Sequence, residues 1–264
     1  MKKILVPLGN SEKAVNTLQY AIDFASISKA TIYVVQVFES VKSTGFLKKI
    51  DEFIEVEARQ ELSNILSKVD KKDVKIISKV FKGKITDSIS IIAEALEVDI
   101  IISSASYTTA DSSIYLGPIV GGLVKKTELP ILIIPKGYKF KPYKNILLSI
   151  RSGIINKAQV LSPLQDLVAI FKAKVNLLHV ITPSNTTEDN SLHEDFEALA
   201  NKISNSENAT VYQGILEHLI EVSPDLLCVI RRKRGFFAKL WEQNSIKKID
   251  FESRIPLLVL RGNV

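Results

Sequence analysis

Cysteine is nearly absent: Cys228 stands alone in 264 residues, so no intrachain disulfide can form. Histidine is as sparse, with only His179, His193 and His218, all far from any partner cysteine, which removes a Cys-rich zinc site. Eleven glycines and nine prolines are too few for a collagen-like or low-complexity chain. Long apolar runs are missing as well. None reaches the ~18 residues needed to cross a bilayer, so no membrane insertion is expected. The N-terminal run Ile4-Leu5-Val6 stops at Pro7, short of a secretory signal. A cytoplasmic location is therefore expected. The charge balance is mildly basic, 35 Lys+Arg against 29 Asp+Glu for a net +6, which does not by itself imply nucleic acid. No Gly-x-Ser-x-Gly elbow, His-Glu-x-x-His helix or Walker A loop is present, so no enzyme is indicated.

What remains is an ordinary globular composition, 46% hydrophobic and 24% charged, of a length compatible with two domains or one large one. Residues 3–7 read as a buried strand, and Ser11 as the N-cap of the helix that follows. In that helix Ala14, Leu18, Ala21, Ile22 and Ala25 share a face. The pattern then predicts a strand over Thr31–Phe38, a helix over Phe53–Val69, a strand over Val74–Phe81 closed by Gly83, and a helix over Asp87–Leu96. A strand over Asp99–Ser103, a polar loop to Ser113, a short helix over Gly117–Lys126 and a strand over Ile131–Ile134 complete the unit. Strands this apolar belong to a parallel sheet covered on both faces.

The stretch Lys136–Lys144 is charged and aperiodic, and residues 138–143 are taken as a linker between a first domain, 1–137, and a second, 144–264. After it the pattern restarts. Asn145-Ile-Leu-Leu repeats Lys3-Ile-Leu-Val, Val175–Ile181 repeats the second strand, Asp225-Leu-Leu repeats Asp99-Ile-Ile, and Ile255-Pro-Leu-Leu repeats Leu129-Pro-Ile-Leu. In this shorter copy, Leu192–Ile203 reads as a modest helix and Ala209–Tyr212, ending at Gly214, as the third strand.

The ordered set Lys-Ile-Leu-Val-Pro, Ser-Glu-x-Ala-x-x-x-Leu-x-Tyr-Ala, Asp99-Ile-Ile-Ile-Ser-Ser and Leu129-Pro-Ile-Leu-Ile-Ile-Pro resembles the universal stress protein family, twice over. The resemblance implies two doubly wound, five-stranded parallel α/β domains of the adenine nucleotide alpha hydrolase-like type. It also implies that they pack as a pseudo-dimer through their last strands, Ile131–Ile134 and Leu257–Leu260. ATP-binding members carry an aspartate after the first strand. They also carry Gly-x-x-Gly, nine residues and Gly-Ser or Gly-Thr after the fourth, where bare backbone N–H groups cradle phosphates.

This chain departs from that pattern. The glycine positions fall on Ser104, Tyr107 and Gly117, with Pro118 in place of the hydroxyl residue, and the aspartate position is Gly9. In the second half they fall on Ile230, Lys233 and Gln243, and the aspartate position is Arg151. The expectation is thus a non-catalytic regulator with degenerate sites and no cofactor, acting through contacts with an unidentified protein or as a homodimer. The alternative is an ATP or AMP sensor with a variant loop in the first domain, its pocket formed by Pro7, Gly9, Val37, Ser104, Ser106, Tyr107 and Gly117, with hydroxyls replacing backbone donors. A carrier of an apolar ligand held between the domains is a third reading.

One further stretch is unusual: Arg231-Arg-Lys-Arg234, followed by Phe236, Phe237 and Trp241. It reads either as a solvated basic loop with aromatics folded back or as an anion, nucleic-acid or membrane-surface patch. Arg231–Lys233, joined by Arg151, are expected to project as a surface for an acidic partner. Cys228, mid-strand, is expected to be buried and inert.

Overall fold

The computed structural model describes residues 1–9, 13–39, 47–105, 113–232, 246–247 and 251–262. The first half runs β1 (Lys3–Leu8), α1 (Lys13–Ser28), β2 (Thr31–Phe38), α2 (Leu47–Ser67), β3 (Ile76–Lys82), α3 (Ile85–Ala95), β4 (Ile100–Ser104), β5 (Ile114–Leu116), α4 (Pro118–Lys126) and β6 (Ile131–Ile134). The second half runs β7 (Asn145–Ile150), a 3-10 turn (Ala158–Leu161), α5 (Ser162–Phe171), β8 (Lys174–Ile181), α6 (Thr187–Asn190), α7 (Glu194–Leu199), β9 (Lys202–Glu207), α8 (Val211–Val222), β10 (Leu226–Arg231), β11 (Ile246–Lys247) and β12 (Leu257–Arg261).

Ten of these strands form one sheet, in the order β3-β2-β1-β4-β6-β12-β10-β7-β8-β9. Within each half all neighbours are parallel and the order is that of a doubly wound α/β unit. The halves meet where β6 and β12 pair antiparallel, Ile133 opposite Leu257, Leu132 opposite Leu258 and Ile131 opposite Val259. Each half thus covers the other's sheet edge, which would otherwise expose unpaired backbone.

The period of two along each strand sorts the core into two layers. Ile4, Val6, Ile100, Ile102, Leu132, Leu148, Cys228 and Leu258 face α1, α2 and α5. Leu5, Ile101, Ile131, Ile133, Leu147, Leu227, Val229 and Leu257 face α3, α4 and α8. Burial pushes the Cys228 thiol well up, which keeps it protonated and unreactive.

Two second-half elements depart from expectation. The third strand is β9, not Ala209–Tyr212. It sits at the edge of the sheet and pairs only with β8, so its sequence Lys-Ile-Ser-Asn-Ser-Glu is polar and lacks an apolar run. Ala209–Tyr212 instead leads into α8, whose N-cap Thr210 accepts a hydrogen bond from the Gln213 N–H at 3.2 Å. Gly214 lies inside that helix; a Cβ there would approach Val180 to 2.9 Å, so its role is close helix-to-sheet contact rather than a strand end. The helix expected over Leu192–Ile203 shrinks to α7, capped by His193. Ser11 lies outside the described residues.

The stretch read as a linker is anchored. Tyr138, Phe140 and Tyr143 fold into an aromatic cluster with Tyr20 and Phe24 of α1 and Phe171 of α5. Its end is held by Asp225, which accepts hydrogen bonds from the N–H groups of Lys144 (2.8 Å) and Asn145 (3.0 Å) and from Lys141 Nζ (2.7 Å). Asp99 does the same for Lys3 at 2.8 Å, so the Asp99/Asp225 repeat read from the sequence is a repeated staple on the first strand of each half. Burial works to raise the Asp225 pKa, but the hydrogen bonds from Lys141 and the two N–H groups outweigh it and hold the carboxyl below the usual range. Asp225→Ala is expected to cost about 1–3 kcal/mol at neutral pH, since it strands two backbone donors and an ammonium. A depressed folded pKa means that the charge-dependent share of this stabilisation is present above the unfolded pKa and is lost as pH falls through the folded one. The gap to wild type should therefore narrow below about pH 4. Urea unfolding at pH 7 and pH 3 checks this; an equal gap at both would contradict it.

Candidate functional site

Ligands of doubly wound sheets bind beyond the carboxyl ends of the strands, where the strand order reverses. In the first half that place lies between β1 and β4. The two pair only through Ile4–Ile100 and Leu5–Ile101, then diverge, and Pro7 falls beyond that ladder, so its missing N–H deprives β4 of nothing. Pro7, Val37, Ser104 and Gly117 are brought to this end: Pro7 and Val37 buried, Ser104 half-buried at the end of β4, Gly117 buried as the N-cap of α4 with Pro118 at its first turn. Ser106 and Tyr107 lie outside the described residues, as do Thr108, Thr109 and Ser112.

A cleft of about 780 Å³ opens beside β2, between the strand ends and α2. Gly9 and Val37 line it; Pro7, Ser104 and Gly117 do not. Its chemistry is acidic. Glu39, Glu57 and Glu61 contribute carboxylates, and its described lining includes no lysine or arginine. Glu61 accepts a hydrogen bond from Gln36 at 3.1 Å, and Glu39 accepts one from the Ile85 N–H at 3.3 Å, so two of these carboxylates are fixed in place.

The second half is built differently. Arg151 follows β7 and Arg232 follows β10, the two strands that flank its order reversal. The chain from Thr182 to His193 lies across these ends. The Gly153 N–H donates to the Asp189 carbonyl (2.8 Å) and the His193 N–H to the Gly153 carbonyl (3.0 Å). A Cβ on Gly153 would sit 2.0 Å from the Ser191 carbonyl oxygen, so only glycine permits this closure. Asn185 donates to the Arg151 carbonyl at 2.8 Å, and His179 Nε2 lies 3.1 Å from the same oxygen. Burial lowers the His179 pKa, leaving the ring a neutral structural partner rather than a free base.

Arg231 and Arg232 do not project to solvent as expected. Arg231 donates to the Lys125 carbonyl at 2.5 Å, across the junction of the halves. Arg232 donates to Ser152 Oγ (3.1 Å) and to the carbonyls of Ser152 (2.9 Å) and Ile154 (2.5 Å). The forked Arg232 guanidinium reaches two carbonyls and a hydroxyl at once, which turns that cation inward, whereas Arg231 makes one such bond and stays half-buried. Lys233, Arg234, Phe236, Phe237 and Trp241 lie outside the described residues. Arg151 is also drawn in, with Nη2 3.7 Å from Asp189 Oδ2.

Two features escaped the sequence reading. Strand β5, in the stretch between the fourth-strand loop and α4, pairs antiparallel with β11, which follows β10 in the other half. It buries Tyr115 against Phe251, ring centroids 5.7 Å apart. The other is Asp189, in a stretch read only as a polar replacement for a long helix. The pattern Thr186-x-x-Asp189 is a capping box, Asp189 taking the place of the usual glutamate, and that signal was available. Among the described residues no group of three or more metal-ligating side chains is found.

These features have known counterparts. A sequence model of the Universal stress protein family matches residues 1–135. Universal stress protein MJ0531 of Methanocaldococcus jannaschii is 24% identical over 143 residues, spanning 52% of this chain and 84% of that protein. Among solved structures, a universal stress protein from Archaeoglobus fulgidus superposes with a TM-score of 0.71 at 17% identity, covering 99% of this chain and 96% of that one. A functionally unknown protein, PA1789, from Pseudomonas aeruginosa gives 0.65 at 14% identity, covering 99% and 93%. At such identities the structural matches speak for the fold alone, and they extend it over both halves. The family match, the doubly wound order and its repetition in one chain agree: this chain belongs to the universal stress protein family, with tandem domains of that fold.

Proposed function

We propose that this chain is a non-catalytic stress-response regulator of the cytoplasm that works through protein contacts, its two domains, 1–137 and 144–264, acting as an intramolecular pseudo-dimer around the 138–143 strap. The observation that carries this reading is the state of the two strand-end sites. In the second, the crevice is filled by residues 182–193 and both arginines are engaged within the chain. In the first, three carboxylates line the cleft and would repel phosphates, and the aspartate and first two glycine positions of the ATP-binding pattern are Gly9, Ser104 and Tyr107. A second reading keeps one specific support. Gly117 still caps α4, and Val37 faces a cleft large enough for an adenine ring, so an ATP or AMP sensor with a variant phosphate loop is its content.

Calorimetric titration of the full chain with ATP and with AMP separates the two. The regulator reading expects no binding tighter than about 1 mM, roughly −4 kcal/mol. Micromolar binding that disappears in Gly117→Val would overturn it and establish the sensor.

A further inference from the structure

The outer face of α8 is apolar where its counterpart in the first half is polar. With Asp99 matched to Asp225, Ser90 and Glu94 of α3 fall on Leu216 and Ile220 of α8. Leu216 is 44% exposed and Ile220 84%. The fold does not require these two side chains, because Val211, Gly214 and Ile215 already bury the helix against the sheet. Tyr212, Leu216, Leu219 and Ile220 instead make a second stripe at helical spacing. It forms one wall of a groove of about 630 Å³, whose opposite wall includes Arg254 and Ile255. In the first half α4 packs on α3, with Lys126 Nζ 2.7 Å from Asp87. The residues matched to α4, 244–252, include strand β11, and among the described residues no helix takes that place. The two edges of the stripe differ in charge. Glu217 and Glu221 flank it on the β9 side, 3.2 Å from Asn208 and 3.5 Å from Lys202. Arg254 stands exposed on the other side, where the first half has Glu128. Lys141 on that side is held by Asp225 at 2.7 Å, and Glu252 is half-buried.

We propose that this face of α8 is a self-association surface, on which a second copy of the chain lays its own α8, Leu216 and Ile220 against their equivalents. Helix on helix is how the first half completes the same layer, and an exposed apolar stripe is buried most simply by its own copy about a two-fold axis. Charge fixes the direction of that axis. Parallel α8 helices set the Glu217/Glu221 edge of each copy against Arg254 of the other, whereas antiparallel helices would set the two acidic edges together. The stripe spans only about three helical turns, roughly 15 Å. The contact is therefore small, and its Kd is on the order of 10–100 µM. It is separate from the β6–β12 junction, which each half already uses within the chain, and it does not depend on what the first-half cleft binds.

The test is sedimentation equilibrium of the full chain from about 5 to 500 µM, a range that brackets this Kd. Wild type should pass from monomer to dimer. Ile220→Glu buries a carboxylate in the contact and should weaken association at least about tenfold. Its Tm should stay within about 1 °C of wild type, measured on dilute monomer, because the side chain is exposed there. Arg254→Glu should weaken association about threefold to tenfold, and adding Glu217→Arg and Glu221→Arg should restore it. A wild type that stays monomeric throughout, or a dimer indifferent to Ile220→Glu, would overturn the proposal. So would a monomeric wild type whose Tm falls by several degrees in Ile220→Glu, since the stripe would then be covered from within the chain. A dimer that Arg254→Glu leaves unchanged, or that the charge exchange fails to restore, would overturn the parallel arrangement on which the proposal rests.

Discussion

Val259→Pro is expected to abolish cooperative folding or to destabilise the protein by more than about 3 kcal/mol. Val259 lies in β12, interior to the ten-stranded sheet, opposite Val229 of β10 on one side and Ile131 of β6 on the other. Proline removes a ladder donor and places its ring against a neighbouring strand; it is tolerated at sheet edges and bulges, not in a strand paired on both sides. The position also joins two halves that each depend on the junction, since Leu132, Ile133, Leu257 and Leu258 around it are all fully buried. Val259→Ala, which keeps the backbone bonds and loses two methyl groups, should cost only about 2 kcal/mol. Guanidinium unfolding followed by circular dichroism measures both. If Val259→Pro leaves the midpoint within a few tenths molar of wild type, the halves do not rely on this pairing. If it instead splits the curve into two transitions, they fold independently.

Tyr143→Ala should be nearly as damaging, at about 3–5 kcal/mol. Tyr143 is fully buried where the strap enters the second half. Its ring stands 4.9 Å from that of Phe171 and 6.1 Å from that of Phe140, and its hydroxyl pairs with that of Tyr20 at 2.7 Å. Burial raises the pKa of both phenols above the usual range, so both are protonated at neutral pH, and one donates to the other. The pair can be dissected. Tyr143→Phe strands the Tyr20 hydroxyl in an apolar cluster and should cost about 1–3 kcal/mol. Adding Tyr20→Phe removes the orphan, so the double variant should be no less stable than the single one, with a coupling energy of about 1–2 kcal/mol. Simple addition of the two single losses would mean that the hydroxyls do not interact in solution.

Much of this architecture follows from local patterns. Apolar runs at 31–38 and 131–134 became strands with the same bounds, because four or more branched apolar residues flanked by turn signals have few other ways to be buried. The Asp99/Asp225 repeat and the two Leu/Ile-Pro entries announced a duplicated unit, and the resemblance they carried led to the family. Edge strand β9 was not legible, because a strand with one partner and a half-exposed face needs no apolar run. The segment Ala209–Tyr212, which leads into α8, reads as a strand because Val211 and Tyr212 favour β conformation locally, while helix burial against Val180 decides the outcome.

The functional end was read less completely. The departure from the phosphate-loop pattern is an expectation drawn from residue identity, with Gly9, Ser104, Tyr107 and Pro118 at the positions the resemblance assigns to it. Where the cations point is not. Arg151, Arg231 and Arg232 in sequence are simply charges near strand ends, and a charge says nothing about its partner when the partner is a carbonyl 80 or 106 residues away, as for Arg232 with Ser152 and Arg231 with Lys125. The sequence alone determined the number of units and their layered class, since each depends on residue type and short-range periodicity. Only the tertiary structure decided that Gly153 and Asp189 close the second crevice and fixed the antiparallel register of the β6–β12 pairing that the resemblance led one to expect, since both depend on distant segments whose approach is set by packing and by the backbone groups left to be satisfied.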